Sequence, residues 1–353
     1  MSKGVTQREI ADLLGISYLT VNRVLSASGR SAAKVHPATR NRIQEAARRL
    51  GYRRNVMASN LALKRTSSIG VVWPHRALSY YLEVVSALEQ VARSHGYQVV
   101  IAHRAMEGAG SEREIRFLSE RMVDGLIVAP DQLKEPPSAF KLPTESSIPT
   151  LLFNSFVPGI QGHYLGTDSR QGAIAACRYL LDLGHRRLAF VSGPRHEYTS
   201  RCREEGVRTA VTLAGLPENA LSVIEGGGFT VEAGERAAER LRHLSTQPTA
   251  VLAANDALAI GVFLALRRAG VQIPRDISLC GYAGMWEGEL LSPPLTTVRQ
   301  PVRKLGRRAA ELIIDFIHHS EPSQAATFEE LPDELVVRAS CAPPATLQPQ
   351  RGT

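Results

Sequence analysis

The segment VTQREIADLLGISYLTVNRVL, residues 5–25, contains signals for the start of one helix, for its end and for the start of a second helix. Thr6 and Glu9 match a capping box, which predicts that a helix begins at Gln7. Gly15 is expected to end this helix, because glycine adopts the positive φ that a helix terminus often needs. Ser17 is the predicted cap of a second short helix, and this spacing is typical of a helix-turn-helix. The residues expected to face inward are Ile10, Ala11, Leu13, Leu14, Val21, Val24 and Leu25.

A third helix is predicted to follow this pair. Pro37 suits the first helical turn, because its fixed φ is already helical and its missing N–H is not needed there. Gly51 is expected to stop the helix. The apolar stripe between them has helical spacing and consists of Ile43, Ala46, Ala47 and Leu50. Residues 1–54 are therefore predicted to form a small all-α head.

The charge of the chain supports a nucleic-acid partner for this head. The 353 residues have a formal net charge of +8. Up to Arg65 the sequence holds 13 Lys and Arg against 3 acidic residues, whereas the remainder holds 29 against 31. The positive excess therefore lies in the first fifth of the chain, where it would neutralise phosphates and release counterions. A solvated basic face is the alternative.

The rest of the chain alternates between short apolar runs and helical stretches, which predicts parallel sheets covered on both faces. About 270 residues of this pattern suggest two α/β lobes with a ligand cleft beyond the carboxyl ends of the strands. The strand-like runs are Ile69–Trp73, Gln98–His103, Gly125–Ala129, Thr150–Phe153, Leu188–Ser192, Ser222–Glu225, Ala250–Ala254 and Ser278–Tyr282. The helical stretches include Tyr81–His95, Gln171–Leu183, Asp256–Ala269 and 301–318.

Several classes of protein are disfavoured by composition. No run of 18 apolar residues is available to span a membrane, and the first residues lack the apolar core of a secretory signal, so we expect a cytoplasmic protein. The four cysteines have no metal-ligand spacing and are expected to be reduced, buried thiols. The run Gly226-Gly227-Gly228-Phe229 is not followed by the Gly-Lys-Ser/Thr of a phosphate loop. We therefore expect no cofactor and no catalytic activity.

Longer motifs resemble the lactose/galactose repressor (LacI/GalR) family of transcriptional regulators over nearly the whole chain. In the head they are Val5–Ala11, Thr20–Leu25 and Ala46–Tyr52, continued by Asn55, Ala58, Leu61 and Ile69–Val72. In the remainder they are Arg121–Ile127, Leu183–Ala189, Ala254–Asp256, Pro294–Gln300 and Leu335–Arg338.

This resemblance implies a helix-turn-helix head followed by a two-lobed periplasmic-binding-protein-like effector domain. The implied boundaries are 1–54 for the head, 55–67 for a hinge helix and linker, 68–341 for the effector domain and 342–353 for a flexible tail. Because family members cross three times between lobes, lobe 1 is expected at about 68–165 and 297–325. Lobe 2 is then expected at about 166–296 and 326–341.

The resemblance also implies which residues contact DNA. The second helix would lie in the major groove, with Arg23 paired to guanine and Asn22 to adenine. Leu61 would wedge into the minor groove and kink the DNA, although an ordinary core leucine is the alternative. The remaining candidates for DNA contact are Thr6, Ser17, Tyr18, Leu19, Thr20, Lys34, Asn55 and Ala58.

Two departures from the family concern the head. The segment Ser26–Ala38 is about four residues longer than is usual and adds Arg30, Lys34 and His36. These cations could contact phosphates, or the loop could simply be flexible. Arg54 stands where the family has a proline, so the hinge is expected to be less ordered away from DNA.

The effector contacts implied by the resemblance centre on Arg203, whose fork of donors suits sugar hydroxyls or a carboxylate. Phe229 would stack on a sugar ring or belong to the core. Asn255 would line the cleft or cap a helix, and Tyr80 and Tyr81 would line the pocket or an interface. The full set is Tyr80, Tyr81, Asn154, Arg201, Arg203, Phe229, Asn255 and Ala283.

Ala283 is the departure that concerns the effector itself. Sugar-binding members carry an aspartate at this place, whereas Arg195, His196 and Arg201 here lie near Arg203 in sequence. Loss of an acid beside several cations favours an anionic effector, such as a sugar acid or a sugar phosphate, over a neutral sugar.

The expected partners are pseudo-palindromic double-stranded operator DNA, a carbohydrate-type small molecule and a second copy of the chain. A homodimer is expected because two heads must read two half-sites. The tail lacks leucine heptads, which disfavours a coiled-coil tetramer. The sequence leaves open whether the effector releases or promotes DNA binding. The alternative function is a solute-binding protein of a transport system, which shares the two-lobed fold but has no DNA-binding head.

Overall fold

A computed structural model describes residues 5–25, 34–52, 65–73, 79–103, 112–120, 123–130, 148–156, 162–319 and 326–345. The chain divides into two compact units, Met1–Thr66 and Ser67–Thr353.

Within the first unit, the described residues form three helices, α1 (Gln7–Leu14), α2 (Tyr18–Leu25) and α3 (Pro37–Arg49). The predicted capping box is confirmed: the N–H of Thr6 donates to Glu9 Oε2 at 2.7 Å, and the N–H of Glu9 donates to Thr6 Oγ1 at 3.3 Å. Gly15 ends α1 with φ 62°. The helices enclose a small core of Ile10, Ala11, Val21, Val24, Ile43, Ala46 and Ala47.

Two leucines that were predicted to face inward do not. Leu13 is 64% exposed and Leu50 is 38% exposed. At about 100° per residue, the face formed by Ile10, Ala11 and Leu14 is centred about 110° away from Leu13. Leu13 therefore points to the side of α1, and the small side chain of Ala11 takes the inward position.

The second unit contains two six-stranded sheets, which confirms the predicted α/β class. The first sheet has the order β11-β5-β4-β3-β1-β2 and is parallel throughout. Its strands are β1 (Ser68–Trp73), β2 (Gln98–His103), β3 (Gly125–Val128), β4 (Thr150–Phe153), β5 (His163–Thr167) and β11 (Phe328–Leu331). Its helices are α4 (Ser79–Ser94), α5 (Glu112–Ser119) and α10 (Val302–His318).

The second sheet has the order β12-β10-β9-β8-β6-β7, with only β12 antiparallel to its neighbour. Its strands are β6 (Leu188–Ser192), β7 (Leu221–Glu225), β8 (Ala250–Ala253), β9 (Ser278–Ala283), β10 (Thr296–Arg299) and β12 (Glu334–Val336). The connecting helices are α6 (Ser169–Asp182), α7 (Tyr198–Leu213), α8 (Val231–Arg242) and α9 (Asp256–Arg268).

The chain passes between the sheets three times, and each passage lies a few residues later than expected, the first of them after Thr167 at the end of β5. β10 remains in the second sheet as far as Arg299, and α10 then packs on the first sheet. β11 also belongs to the first sheet, where it pairs with β5, although 326–341 was assigned to lobe 2. The third passage therefore lies between Leu331 and Glu334. The short, acidic sequence of β11 carries no signal that would distinguish one sheet edge from the other.

A buried histidine ties together the amino end of the second sheet. His185 Nδ1 lies 2.9 Å from Thr249 Oγ1, and its Nε2 lies 3.0 Å from the carbonyl of Ala342 and 3.1 Å from Ser278 Oγ. A carbonyl can only accept, so Nε2 carries a proton; in the neutral ring Nδ1 then accepts from the threonine hydroxyl, which also lies 3.3 Å from the carbonyl of Arg187. Burial lowers the pKa of His185 from its usual value of 6.5, which favours this neutral form.

We predict that His185 makes the effector domain less stable in acid. Because its pKa is lower in the folded chain than in the unfolded chain, its contribution is complete above about pH 6.5 and is lost as the pH falls through the folded pKa. His185→Gln should lower the free energy of unfolding by about 1–3 kcal/mol at pH 8 and by less at pH 5. Urea denaturation at several pH values measures both numbers.

The control is His243→Gln, since His243 is exposed. This substitution should change the free energy of unfolding little at either pH. A His185→Gln deficit that stays constant from pH 5 to pH 8 would contradict the assignment of a neutral imidazole.

Candidate functional site

The exposed face of α2 is the candidate surface for DNA. Tyr18 is 48% exposed, Leu19 is 66% exposed, and Arg23 is also exposed. Base edges and thymine methyl groups in the major groove provide contacts for exposed polar, aromatic and apolar side chains of this kind. The structure thus brings three of the predicted base-reading residues onto one accessible face.

Other candidates in the head are engaged within it. Ser17 caps α2, because its Oγ accepts from the N–H of Thr20 at 3.3 Å. Asn22 Nδ2 donates to Gln7 Oε1 at 2.9 Å, and Gln7 Nε2 donates to the hydroxyl of Tyr52 at 2.9 Å. This chain of hydrogen bonds links α1, α2 and the end of α3, so Asn22 orients the helices of the head. The sequence pattern did not predict this role.

The remaining DNA candidates divide into two groups. Thr6 and Lys34 are exposed, with Thr6 occupied in the cap of α1. The predicted hinge residues and the departures near them lie outside the described residues. These are Arg30, Arg54, Asn55, Ala58 and Leu61.

In the second unit, Arg203 is a buried cation on α7. Its Nη1 donates to the carbonyl of Ala254 at 2.7 Å, and its Nη2 lies 3.4 Å from Ser169 Oγ. The guanidinium carbon lies 4.0 Å from the centre of the Tyr282 ring. Its Nε has no hydrogen-bond partner among the described residues. The guanidinium is therefore held in one plane, while its Nε donor is left for a ligand.

The hydroxyl of Tyr282 connects Arg203 to the passage between β11 and β12. This hydroxyl donates to Asp333 in that passage and also lies 3.2 Å from the carbonyl of Ser169. Burial raises the pKa of Asp333 to about 6, and the nearby charge of Arg203 opposes the rise. Arg203, Tyr282 and Asp333 therefore form one electrostatic group at the junction of the sheets.

Two further polar side chains lie at the carboxyl ends of strands. Asn154 follows β4 in the left-handed conformation, with φ 60°, and Ser192 ends β6. Both are buried, and Asn154 Oδ1 and Ser192 Oγ have no partner among the described residues. Buried polar atoms without partners are rare in folded proteins, so they point to a bound ligand or water. Ser192 was missed, although a small polar residue before Gly193-Pro194 was a usable signal.

Asn255 takes the role of a helix cap. Its Oδ1 accepts from the N–H of Leu258 at 2.8 Å at the start of α9, and its Nδ2 lies 3.4 Å from the carbonyl of Phe229. The ring of Phe229 packs over Gly193, where a Cβ would lie only 2.3 Å from a ring carbon. Asn255 thereby positions the loop that carries the predicted stacking residue.

The surroundings of Ala283 are apolar. Ala283 and Met285 are buried in the same cluster as Trp73 and Phe153. The backbone of Ala283 is left-handed, with φ 110°, and its carbonyl accepts from the N–H of Gln300 at 3.2 Å. No carboxylate is therefore supplied by position 283 itself.

An acid that the sequence did not single out lies nearby in the second sheet. Asp256 is fully buried, accepting from the N–H of Met285 at 2.6 Å and from the hydroxyl of Thr297 at 2.6 Å. Burial raises the pKa of Asp256 to about 7, although these donors favour the charged form. Its Oδ2 holds the backbone that follows β9, and its Oδ1 holds the side chain of Thr297 on β10.

The predicted tyrosines and the second arginine are placed less favourably for binding. Tyr80 and Tyr81 are buried, with ring centres 5.0 Å apart, and Tyr81 lies 5.1 Å from Trp73. Arg201 is exposed and donates to the carbonyl of His196 at 2.6 Å. Arg195 is also exposed and pairs with Glu225 at 3.2 Å. Of these arginines, only Arg203 is buried.

Two searches of the described residues gave negative results. They contain no helix that is long and apolar enough to cross a membrane. They also contain no group of three or more His, Cys, Asp and Glu side chains that could hold a metal ion.

Comparison with known proteins gave two family matches. Residues 6–55 match the family of bacterial regulatory proteins, lacI family, and residues 177–341 match the periplasmic binding protein-like domain. The repressor PurR of Vibrio campbellii is 31% identical over 335 residues, covering 94% of this chain and 97% of PurR. The repressor CytR of Escherichia coli K12 is 28% identical over 336 residues, covering 95% and 96%.

Solved structures agree with these matches. The Lac repressor dimer bound to operator and the anti-inducer ONPF aligns with a TM-score of 0.82 at 26% identity, covering 96% of this chain and 100% of that chain. The complex of the transcriptional regulator CelR with cellobiose aligns with a TM-score of 0.70 at 28% identity, covering 95% and 99%.

We predict that Asp256→Ala strongly destabilises the effector domain. The substitution leaves two buried donors without an acceptor, at about 1–3 kcal/mol each, so the free energy of unfolding should fall by about 2–6 kcal/mol. Urea denaturation at pH 7 measures the loss. Asp276→Ala is the control, because Asp276 is exposed beside Arg275 and should contribute less than about 1 kcal/mol. Equal losses in the two variants would show that Asp256 does not hold the segment after β9.

Proposed function

This chain belongs to the LacI family of bacterial regulatory proteins, and from that premise we propose that it represses transcription as a homodimer on pseudo-palindromic operator DNA. It is a DNA-binding transcriptional regulator controlled by a small-molecule effector. We place it in the cytoplasm, where it has access to DNA, and assign it binding rather than catalysis. Effector and operator would be coupled reciprocally, typically by about 1–3 kcal/mol.

The exposed face of α2 supports the DNA-binding part of the proposal. Tyr18, Leu19 and Arg23 are accessible together, on a helix whose inner face is anchored by Val21 and Val24. Arg23 would read guanine from the major groove, and Leu61 would act as the minor-groove wedge. Lys34 would contact phosphate. A dimer presents this face twice, at half-sites about one helical turn apart or a multiple of it.

We predict that Arg23→Ala weakens binding to the specific site by about 1–3 kcal/mol, which is roughly 5- to 150-fold, while changing nonspecific binding little. The operator would first be selected from random double-stranded DNA with the full-length protein. Fluorescence anisotropy at fixed salt then compares the selected and scrambled duplexes.

The matched control is Arg42→Ala, a second exposed arginine of the head, on α3 rather than α2. If Arg42 contacts a phosphate, Arg42→Ala should reduce binding to both duplexes and lower the salt dependence of the affinity. If Arg23→Ala affected both duplexes equally, base reading by Arg23 would be refuted.

For the effector, we propose an anionic carbohydrate, such as a sugar acid or a sugar phosphate. The observation that carries this proposal is the set of buried polar atoms without partners, which combines a cationic donor at Arg203 with Asn154 and Ser192. The hydrogen bonds of Arg203 go to a carbonyl and a hydroxyl rather than to a carboxylate. Phe229 supplies an aromatic face, and Ala283 supplies no competing acid. Arg195 is paired with Glu225 and Arg201 is exposed, which leaves Arg203 as the buried cation of the three.

We predict that a sugar acid or sugar phosphate raises the Tm of the purified protein, and that Arg203→Ala abolishes the rise. A ligand at about 100 times its Kd stabilises by about 2.7 kcal/mol, which a thermal shift readily detects. The screen would compare each acid and phosphate with its neutral parent sugar and with purines.

Arg201→Ala is the control, because Arg201 is exposed and should leave the shift intact. Equal shifts with a neutral sugar and its acid would refute an anionic effector. That outcome would leave the regulatory assignment unaffected, since the DNA-binding measurements test it separately.

A further inference from the structure

Trp73 is a buried tryptophan at the carboxyl end of β1. It is the last residue of the strand and is only 1% exposed. Its ring centre lies 5.1 Å from that of Tyr81 and 5.1 Å from that of Phe153. The indole is therefore held between the start of α4 and the end of β4, at the edge of the sheet where ligands of such folds bind.

The indole nitrogen of Trp73 has no hydrogen-bond partner among the described residues. An indole N–H can only donate, and a buried tryptophan usually finds an acceptor for it, because an unpaired buried donor costs free energy. Packing against Tyr81 and Phe153 uses the faces and edges of the rings and does not require this N–H. The unpaired donor therefore indicates an acceptor that comes from outside the chain.

The register of the first sheet places Trp73 near a residue of the candidate effector site. The pairing of β1 with β3 and of β3 with β4 puts Trp73 and Phe153 at the same level of the sheet. Asn154 directly follows Phe153, and its buried Oδ1 likewise has no partner in the described part of the chain. The carboxyl edge of the first sheet thus presents one donor and one acceptor that the protein itself does not satisfy.

The segment after β9 covers this corner of the first sheet. Ala283 and Met285 are buried in the same apolar cluster as Trp73. At the start of α4, Ser79 Oγ donates to Glu287 Oε2 at 2.9 Å, which joins α4 to that segment. The corner is therefore shielded from water. A hydrogen bond to a ligand enclosed here gains strength from the low local dielectric.

We propose that Trp73 is a specificity-determining contact for the effector, with its indole N–H donating to a ring or hydroxyl oxygen at the uncharged end of a sugar. This inference rests on the anionic carbohydrate proposed above. Arg203 and Ser192 belong to elements of the second sheet, whereas Trp73 and Asn154 belong to the first. The anionic group of the ligand then lies toward the second sheet and its uncharged hydroxyls toward the first. Trp73 selects among sugars, and Arg203 selects the anion.

The first measurement uses the full-length Trp286→Phe variant. The chain has two tryptophans and Trp286 is 52% exposed, so this variant keeps Trp73 as its single indole. The probes are glucuronate, galacturonate and the terminal phosphates of glucose and galactose, each with its neutral parent sugar. A probe that raises the Tm should move the indole N–H resonance of Trp73 downfield in a proton–nitrogen NMR spectrum, because the proton gains an acceptor.

The second measurement compares Kd values in Trp73→Phe, which keeps an aromatic ring but lacks the N–H. The Kd values of the acid and of the phosphate of one sugar should both rise by about 2- to 12-fold, the effect of losing one hydrogen bond. The two factors should be equal, because the donor lies at the uncharged end. Trp286→Phe is the matched control and should leave both Kd values unchanged.

The contact is overturned if binding depends on Arg203 while the Trp73 resonance and the Kd of Trp73→Phe stay unchanged; the anionic effector then stands. A larger loss for the phosphate than for the acid overturns the placement of Trp73 at the uncharged end. If neutral sugars raise the Tm as much as their acids and still move the resonance, the anionic effector fails while the contact stands. If no probe raises the Tm, both fail. The resonance is measured with Trp73 in place, so it does not depend on whether Trp73→Phe folds.

Discussion

The junction between the two sheets is the constraint on which the effector domain depends. Three chain passages run through it, and polar groups buried there need partners from within the protein. The passages supply these partners to one another. Gln300 follows β10, and its side-chain amide donates at 2.7 Å to the hydroxyl of Thr167 at the end of β5. Asp333, between β11 and β12, accepts from the hydroxyl of Tyr282. These bonds join segments that are remote in sequence, so they form only when both sheets are in place.

The candidate ligand site is built on the same junction. Arg203 stacks on Tyr282 and influences the charge of Asp333, so a ligand that engages the guanidinium also acts on the third passage. Coupling between two sites requires an element whose state both can bias, and we propose the passages between the lobes as that element. On this view, the buried position of Arg203 matters as much as its charge. An anion bound by an exposed arginine such as Arg201 would not act on the residues at the junction.

Much of the fold was predictable because its signals are local. The capping box at Thr6, Pro37 at the start of α3 and the eight apolar runs that became strands each depend on residues within a few positions. β5, β10, β11 and β12 were not recognised as strands, since they are short and mix polar with apolar residues. Leu13 was misplaced because Ile10 and Leu14 can share a helical face with either Leu13 or Ala11, and only packing selects between the two. The family resemblance supplied Arg203, Phe229 and Asn255, but not Ser192 or Asp256.

By itself, the sequence determined the all-α head, the alternation of strands and helices, the concentration of positive charge in the first 65 residues and the membership of a regulator family. The first three follow from composition and from spacing along the chain, whereas the family membership follows from motifs that the chain shares with known regulators. Only the tertiary structure decided that Asn22 holds the head together, that Asn255 caps α9 and that Asp256 holds the turn after β9. Each of these roles depends on which partner fills the hydrogen-bonding capacity of a buried group. That partner is set by sheet order and passage points, which bring together residues tens to hundreds of positions apart.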